Sequence, residues 1–127
     1  MAHNLYQLFF IYYHRGEYWE AHEVLEELWQ SQRHNDFYHG LIQIAAIMHQ
    51  LNRGKVRGAR KLATSAIKYL SPFAPEKDGV LVDRVLDWLN LCLEVLPDGV
   101  EKLPPDDALL KEIPVCPLPD VREVNSN

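Results

Sequence analysis

Residues 37–51 read FYHGLIQIAAIMHQL. Wound as a helix of about 3.6 residues per turn, Phe37, Leu41, Ile42, Ile44, Ala45, Ile47, Met48 and Leu51 leave almost no polar side. A helix that is apolar nearly all round must be covered on most sides. This stretch therefore predicts the centre of an all-α bundle, and no stretch of the chain reads as a convincing strand.

Glycines and prolines divide the rest into helical lengths. Helix one is expected from Leu5 to His14 with Gly16 as its stop, and helix two from Glu17 to Gln32. Asp36 is the expected N-cap of a third helix from Phe37 to Asn52, which Gly54 ends. A fourth runs from Lys55 to Leu70, where Pro72 and Pro75 forbid continuation. Asp78 is expected to cap a fifth from Gly79 to Leu96, ended by Pro97. RGEYWEA from Arg15 and RGKVRGA from Arg53 share the form R-G-x-x-x-x-A, and each opens the second helix of a hairpin. The expected architecture is a compact bundle of about five helices, made of two αα-hairpins, weakly tetratricopeptide-like, and a closing helix. Residues 1–96 form this domain, and 97–127 a proline-rich tail. A short helical turn is expected within Asp107 to Glu112. Leu103, Leu109, Leu110, Ile113, Val115 and Leu118 are expected to run along the bundle in extended form.

The 127 residues suffice for one domain with a real core. The net charge of −5 argues against a dedicated nucleic-acid binder. The N-terminus lacks the basic start and small-residue cleavage site of a signal peptide, and no apolar run is long enough to span a bilayer. Cys92 and Cys116 form no CxxC pair and read as buried hydrophobes. These features fit a reducing cytoplasm, or the stroma in a plastid-bearing organism.

The stretch EYWEAHEVLEELW, residues 17–29, holds five glutamates and no basic residue. On a helix, Ala21, Val24, Leu25 and Leu28 make the apolar face, with Tyr18 and Trp29 at its edge. His22, Glu26 and Trp29 form one stripe along that edge, while Glu20, Glu23 and Glu27 point to water. In helix three, His39, Gln43 and Gln50 share a stripe, and His49 falls with Ile42 and Ala45. A polar cluster of His22, Glu23, Glu26, Gln43 and His49 is expected between helices two and three, with Tyr18 and Trp29 supporting it.

Histidine at i and glutamate at i+4 can both ligate one metal ion, so His22, Glu26 and His49 are the candidate ligands of a divalent metal such as zinc. The H-E-x-x-H motif is absent because Glu26 stands at its second histidine, and no Glu-x-x-His of the di-iron bundles occurs. A hydrogen-bonded structural network explains the same residues. There is no nucleophile elbow and no phosphate-binding glycine fingerprint. Arg53, Lys55, Arg57, Arg60, Lys61 and Lys68 form a run without an acid. It reads as an anion or RNA patch, or as a complement to acidic helix two. No aromatic residue is interleaved for base stacking.

Gly16, Tyr18, Ala21, His22, Glu23, Leu25, Glu26 and Trp29, followed by Gly40, Leu41, Ile42, Gln43, Ala45, His49, Gly58 and Ala59, make a longer pattern. It resembles DUF309, a family of small prokaryotic and plastid proteins, over residues 5–70. The resemblance implies an all-helical fold and no established activity.

The expected function is a binding or interaction module. The alternative is a metal-assisted hydrolase or other enzyme using the His/Glu/Gln cluster, and the third reading is weak anion or RNA binding through Arg53 to Lys68. A homodimer is also expected, because Tyr6, Phe9, Phe10, Tyr12, Tyr13, Tyr18 and Trp19 crowd the first hairpin beyond what one short helix can bury.

Overall fold

The computed structural model describes residues 2–124. It is all-helical: α1 Leu5–His14, α2 Tyr18–Gln30, α3 Asp36–Asn52, α4 Val56–Leu70, α5 Val82–Val95 and the short α6 Ala108–Lys111. One-turn 3₁₀ segments lie at Ser71–Phe73 and Val121–Glu123. None of the described helices is long and apolar enough to cross a membrane.

Helices α1, α3 and α6 begin where a side chain, of Asn4, Asn35 and Asp107, accepts from a free N–H of the first turn. The Asn4 side chain accepts from the Gln7 N–H at 2.8 Å, and the Gln7 side chain accepts from the Asn4 N–H at 3.0 Å. The cap of α3 is Asn35, one residue before the expected Asp36, and it accepts from Tyr38 N–H at 3.0 Å. Either side chain can cap, and with Asn35 in that place the Asp36 carboxylate joins the first turn, where negative charge is favoured. The fifth helix starts three residues later than expected. Asp78 and Gly79, at φ 48° and 86°, form a tight turn in which Lys77 and Val80 exchange both backbone hydrogen bonds. An Asp-Gly pair in that left-handed geometry closes a hairpin and cannot cap a helix.

α3 packs between α2 and α4, as its apolar surface requires. Ile42, Ile44, Ile47 and Leu51 are all buried, with Phe37, Leu41 and Ala45. α1 and α2 form the first hairpin and α3 and α4 the second, while α5 closes the bundle against α4.

The aromatic crowd on α1 has a different outcome from the one expected. Tyr6, Phe9, Phe10, Tyr13 and Tyr18 are buried, and Trp19 is the aromatic left 49% exposed. The tail supplies the missing cover. Tyr13 Oη donates to the Cys116 carbonyl at 2.8 Å and Trp88 Nε1 to the Pro114 carbonyl at 2.7 Å. His14 Nε2 meets the Pro119 carbonyl at 2.8 Å. A proline-rich strap has carbonyls to offer and few N–H groups to satisfy, so donors on the bundle are enough to hold it. Leu110, Cys116, Leu118 and Val124 are buried by this docking. Leu109 and Val115, expected to lie inward, are exposed because the chain alternates sides at Leu110 and Cys116. At its start the tail crosses the α3–α4 turn, where Leu103 N–H donates to Gly54 O at 2.9 Å. A Cβ at Gly54, whose φ is 71°, would lie 2.0 Å from the Leu103 oxygen.

Candidate functional site

The two polar stripes meet across the α2–α3 contact. His22, Glu26 and Trp29 from α2 face His39 and Gln43 from α3, with Leu62 of α4 as the floor, around a cavity of about 250 Å³. The volume suits a small ligand rather than a drug-sized one.

Three polar atoms here are buried and have no hydrogen-bond partner among the described residues: His22 Nδ1, Trp29 Nε1 and Gln43 Oε1. The Gln43 amide is half satisfied, since its Nε2 donates to Ser65 Oγ at 2.9 Å. Burying such atoms unpaired costs free energy, which makes their concentration at one cavity informative.

His22 sits between two carboxylates. Its Nε2 is 3.5 Å from Glu26 and its Nδ1 is 3.4 Å from Glu23. The second contact is electrostatic without hydrogen-bond geometry, which is why Nδ1 counts as unpaired. Ligand atoms of His22, Glu23 and Glu26 all lie within 4.8 Å of one another. Glu23, read as water-facing on its helix yet included in the expected cluster, is more than half exposed and still lies 3.4 Å from His22 Nδ1.

His49, expected as the third ligand, does not join them. It meets the indole of Trp19, centroids 5.3 Å apart, and that indole stacks on His22 at 4.9 Å. Burial is the largest influence lowering the His49 pKa; nearby Arg53 adds to it, and Glu20 opposes it. The histidine that α3 presents to the cavity is His39. It is wedged edge-on to Trp29 at 4.5 Å and stacked on Tyr69 at 4.4 Å, with planes 10° apart. The i, i+4 spacing of His39 and Gln43 carried that signal. Trp19 carried none, because an exposed tryptophan one turn before a histidine looks like any surface ring. Arg33 lies over the other indole, Trp29, at 5.3 Å.

All of these α2 and α3 side chains fall within one matched segment. Residues 6–62 match DUF309, a domain of unknown function. The DUF309 segment contains α1, α2, α3 and the first half of α4; α5 and the tail lie outside it. The chain is also 32% identical over 83 residues to a protein of Bacillus subtilis (strain 168) named "Uncharacterized protein YpuF". That alignment takes in 61% of this chain and 48% of the relative, so the chain spans about half the length of the curated relative it matches. No solved structure matches. The motif resemblance read from the sequence thus holds for the DUF309 segment, and neither comparison carries an activity.

Proposed function

We propose that this chain is a binding module whose α2–α3 cavity takes a small polar ligand. The observation that carries the reading is the pairing of one buried, unpartnered donor, Trp29 Nε1, with one buried, unpartnered acceptor, Gln43 Oε1, at a single cavity. A ligand with an acceptor beside a donor, such as a carboxamide, satisfies both at once. The imidazole of His39, pinned between two rings, offers it a rigid wall. Binding converts two desolvated orphans into hydrogen bonds, so ligand affinity and the instability of the free site have one origin. A thermal-shift screen of small amides, followed by indole ¹H–¹⁵N spectra, tests this. A hit must move the Trp29 indole resonance and be lost in Gln43→Met. Hits that leave Trp29 unmoved would refute the reading.

The close approach of His22, Glu23 and Glu26 supports a second reading, divalent metal binding. One imidazole and two carboxylates suit zinc and leave a coordination position open, the arrangement of hydrolytic sites. Relative to the sequence expectation, Glu23 replaces His49 in the ligand set. The two carboxylates lie beside opposite nitrogens of the ring, so one ion on Nε2 takes Glu26 directly and requires Glu23 to swing. That movement makes metal the second reading. Elemental analysis of purified protein, repeated on Glu26→Gln, separates it from the first.

A further inference from the structure

A second cleft, of about 300 Å³, lies where the tail crosses the start of α4. Lys55, Arg57, Lys61 and Lys102 line it, against one carboxylate, Glu101. None of the four cations has an ion-pair partner among the described residues. Arg60, next in the basic run, is used differently: it donates to the Leu93 and Leu96 carbonyls at 2.9 and 2.7 Å and so caps the end of α5. Nor does acidic α2 neutralise the run, since no described ion pair joins α2 to α4.

The backbone forces these charges together. Lys55 and Lys102 are opposed across an antiparallel bridge, and Arg57 N–H donates to the Glu101 carbonyl at 3.2 Å. Like charges directly opposite on such a bridge repel. Arg57 and Lys61 stand one helical turn apart and add two more charges of the same sign. In a chain of net charge −5, this is a local concentration of positive charge that a bound anion would offset. Gln50 also lines the cleft, and its amide Nε2 lies on the side of Gly58, another lining residue.

We infer that this cleft binds a diphosphate-bearing small molecule. A diphosphate ester carries about three negative charges, one on the inner and about two on the terminal phosphoryl, which matches four cations set against one carboxylate. The tail forms one wall of the cleft and no aromatic ring lines it, so it lacks the stacking surface of a single-strand nucleic-acid site. The site is separate from the α2–α3 cavity and does not rest on the reading of that cavity.

The test is an amide ¹H–¹⁵N titration of the full chain with inorganic pyrophosphate and, in a parallel arm, ADP. Saturable shifts confined to residues 50–61 and 99–103 are expected. Arg57→Gln with Lys61→Gln, both exposed positions, should weaken binding about 30-fold with the free spectrum otherwise unchanged. Glu101→Gln should tighten it about three-fold. ADP binding as tightly as pyrophosphate, with the same shifts, shows that the diphosphate alone is recognised; tighter ADP binding with those shifts shows a nucleoside contribution, and both support the site. No saturation with either probe, indifference to the double substitution, or tighter binding of a single-stranded oligonucleotide with shifts spread outside the cleft would overturn it.

Discussion

Trp19 lies flat on the imidazole of His22, ring centroids 4.9 Å apart and planes 7° from parallel, while the indole is 49% exposed. The stack holds the histidine over its two glutamates from the solvent side. An aromatic pair of this kind contributes about 0.5–1.5 kcal/mol beyond its buried area. Trp19→Ala should therefore lower unfolding free energy by about 1 kcal/mol in urea titration, and Trp19→Phe should restore most of it. Equal loss in both variants would show that the ring stack contributes nothing.

Gln43→Met replaces a half-satisfied buried amide by an apolar chain of similar length. Ser65, half-buried, can turn to water once its donor is gone. The free protein should gain about 1 kcal/mol, or about 4 °C in Tm, and lose ligand binding at the α2–α3 cavity. A fall in Tm would mean that the Gln43–Ser65 bond outweighs the orphaned oxygen.

His49 gives the domain a pH dependence of known sign. Its folded pKa lies below the ordinary 6.5, chiefly through burial and then Arg53, with His22 and Lys55 acting the same way and Glu20 opposing. Between the folded value and 6.5 the unfolded chain binds more protons than the native one, so stability rises with pH through that window and is lost as pH falls through it. Histidine NMR titration should find His49 below 6.5. His49→Gln should flatten the acidic side of the stability profile.

Gly54→Ala should detach the tail. The new Cβ meets the Leu103 carbonyl oxygen 2.0 Å away in a left-handed conformation, a conflict that costs about 2 kcal/mol or more. Burial raises the Cys92 pKa to about 12 and pushes Cys116 upward too, so neither thiol should alkylate readily in the native protein. In Gly54→Ala, proteolysis near residues 99–105 and labelling of Cys116 should both accelerate. Unchanged labelling would show that the strap holds without its crossing at Gly54.

The α1–α4 hairpins and the buried centre were legible in the sequence because their causes are local. Helical period, a glycine after each first helix and the unbroken apolar run in residues 37–51 act within a few residues of one another. The same locality put His22, Glu26 and Trp29 on one stripe and His39 and Gln43 on another. Which histidine of α3 faces α2 is not local. It depends on the rotation of one helix against the other, which brings Ile42, Ala46 and Leu62 to the cavity with His39 and leaves His49 against Trp19. The burial of Tyr13 on α1 was likewise settled by a partner about a hundred residues away, the Cys116 carbonyl. Local periodicity carries no information about a strap whose prolines break every period, so its path, the basic cleft it completes and the cover it gives α1 were decided by tertiary structure alone.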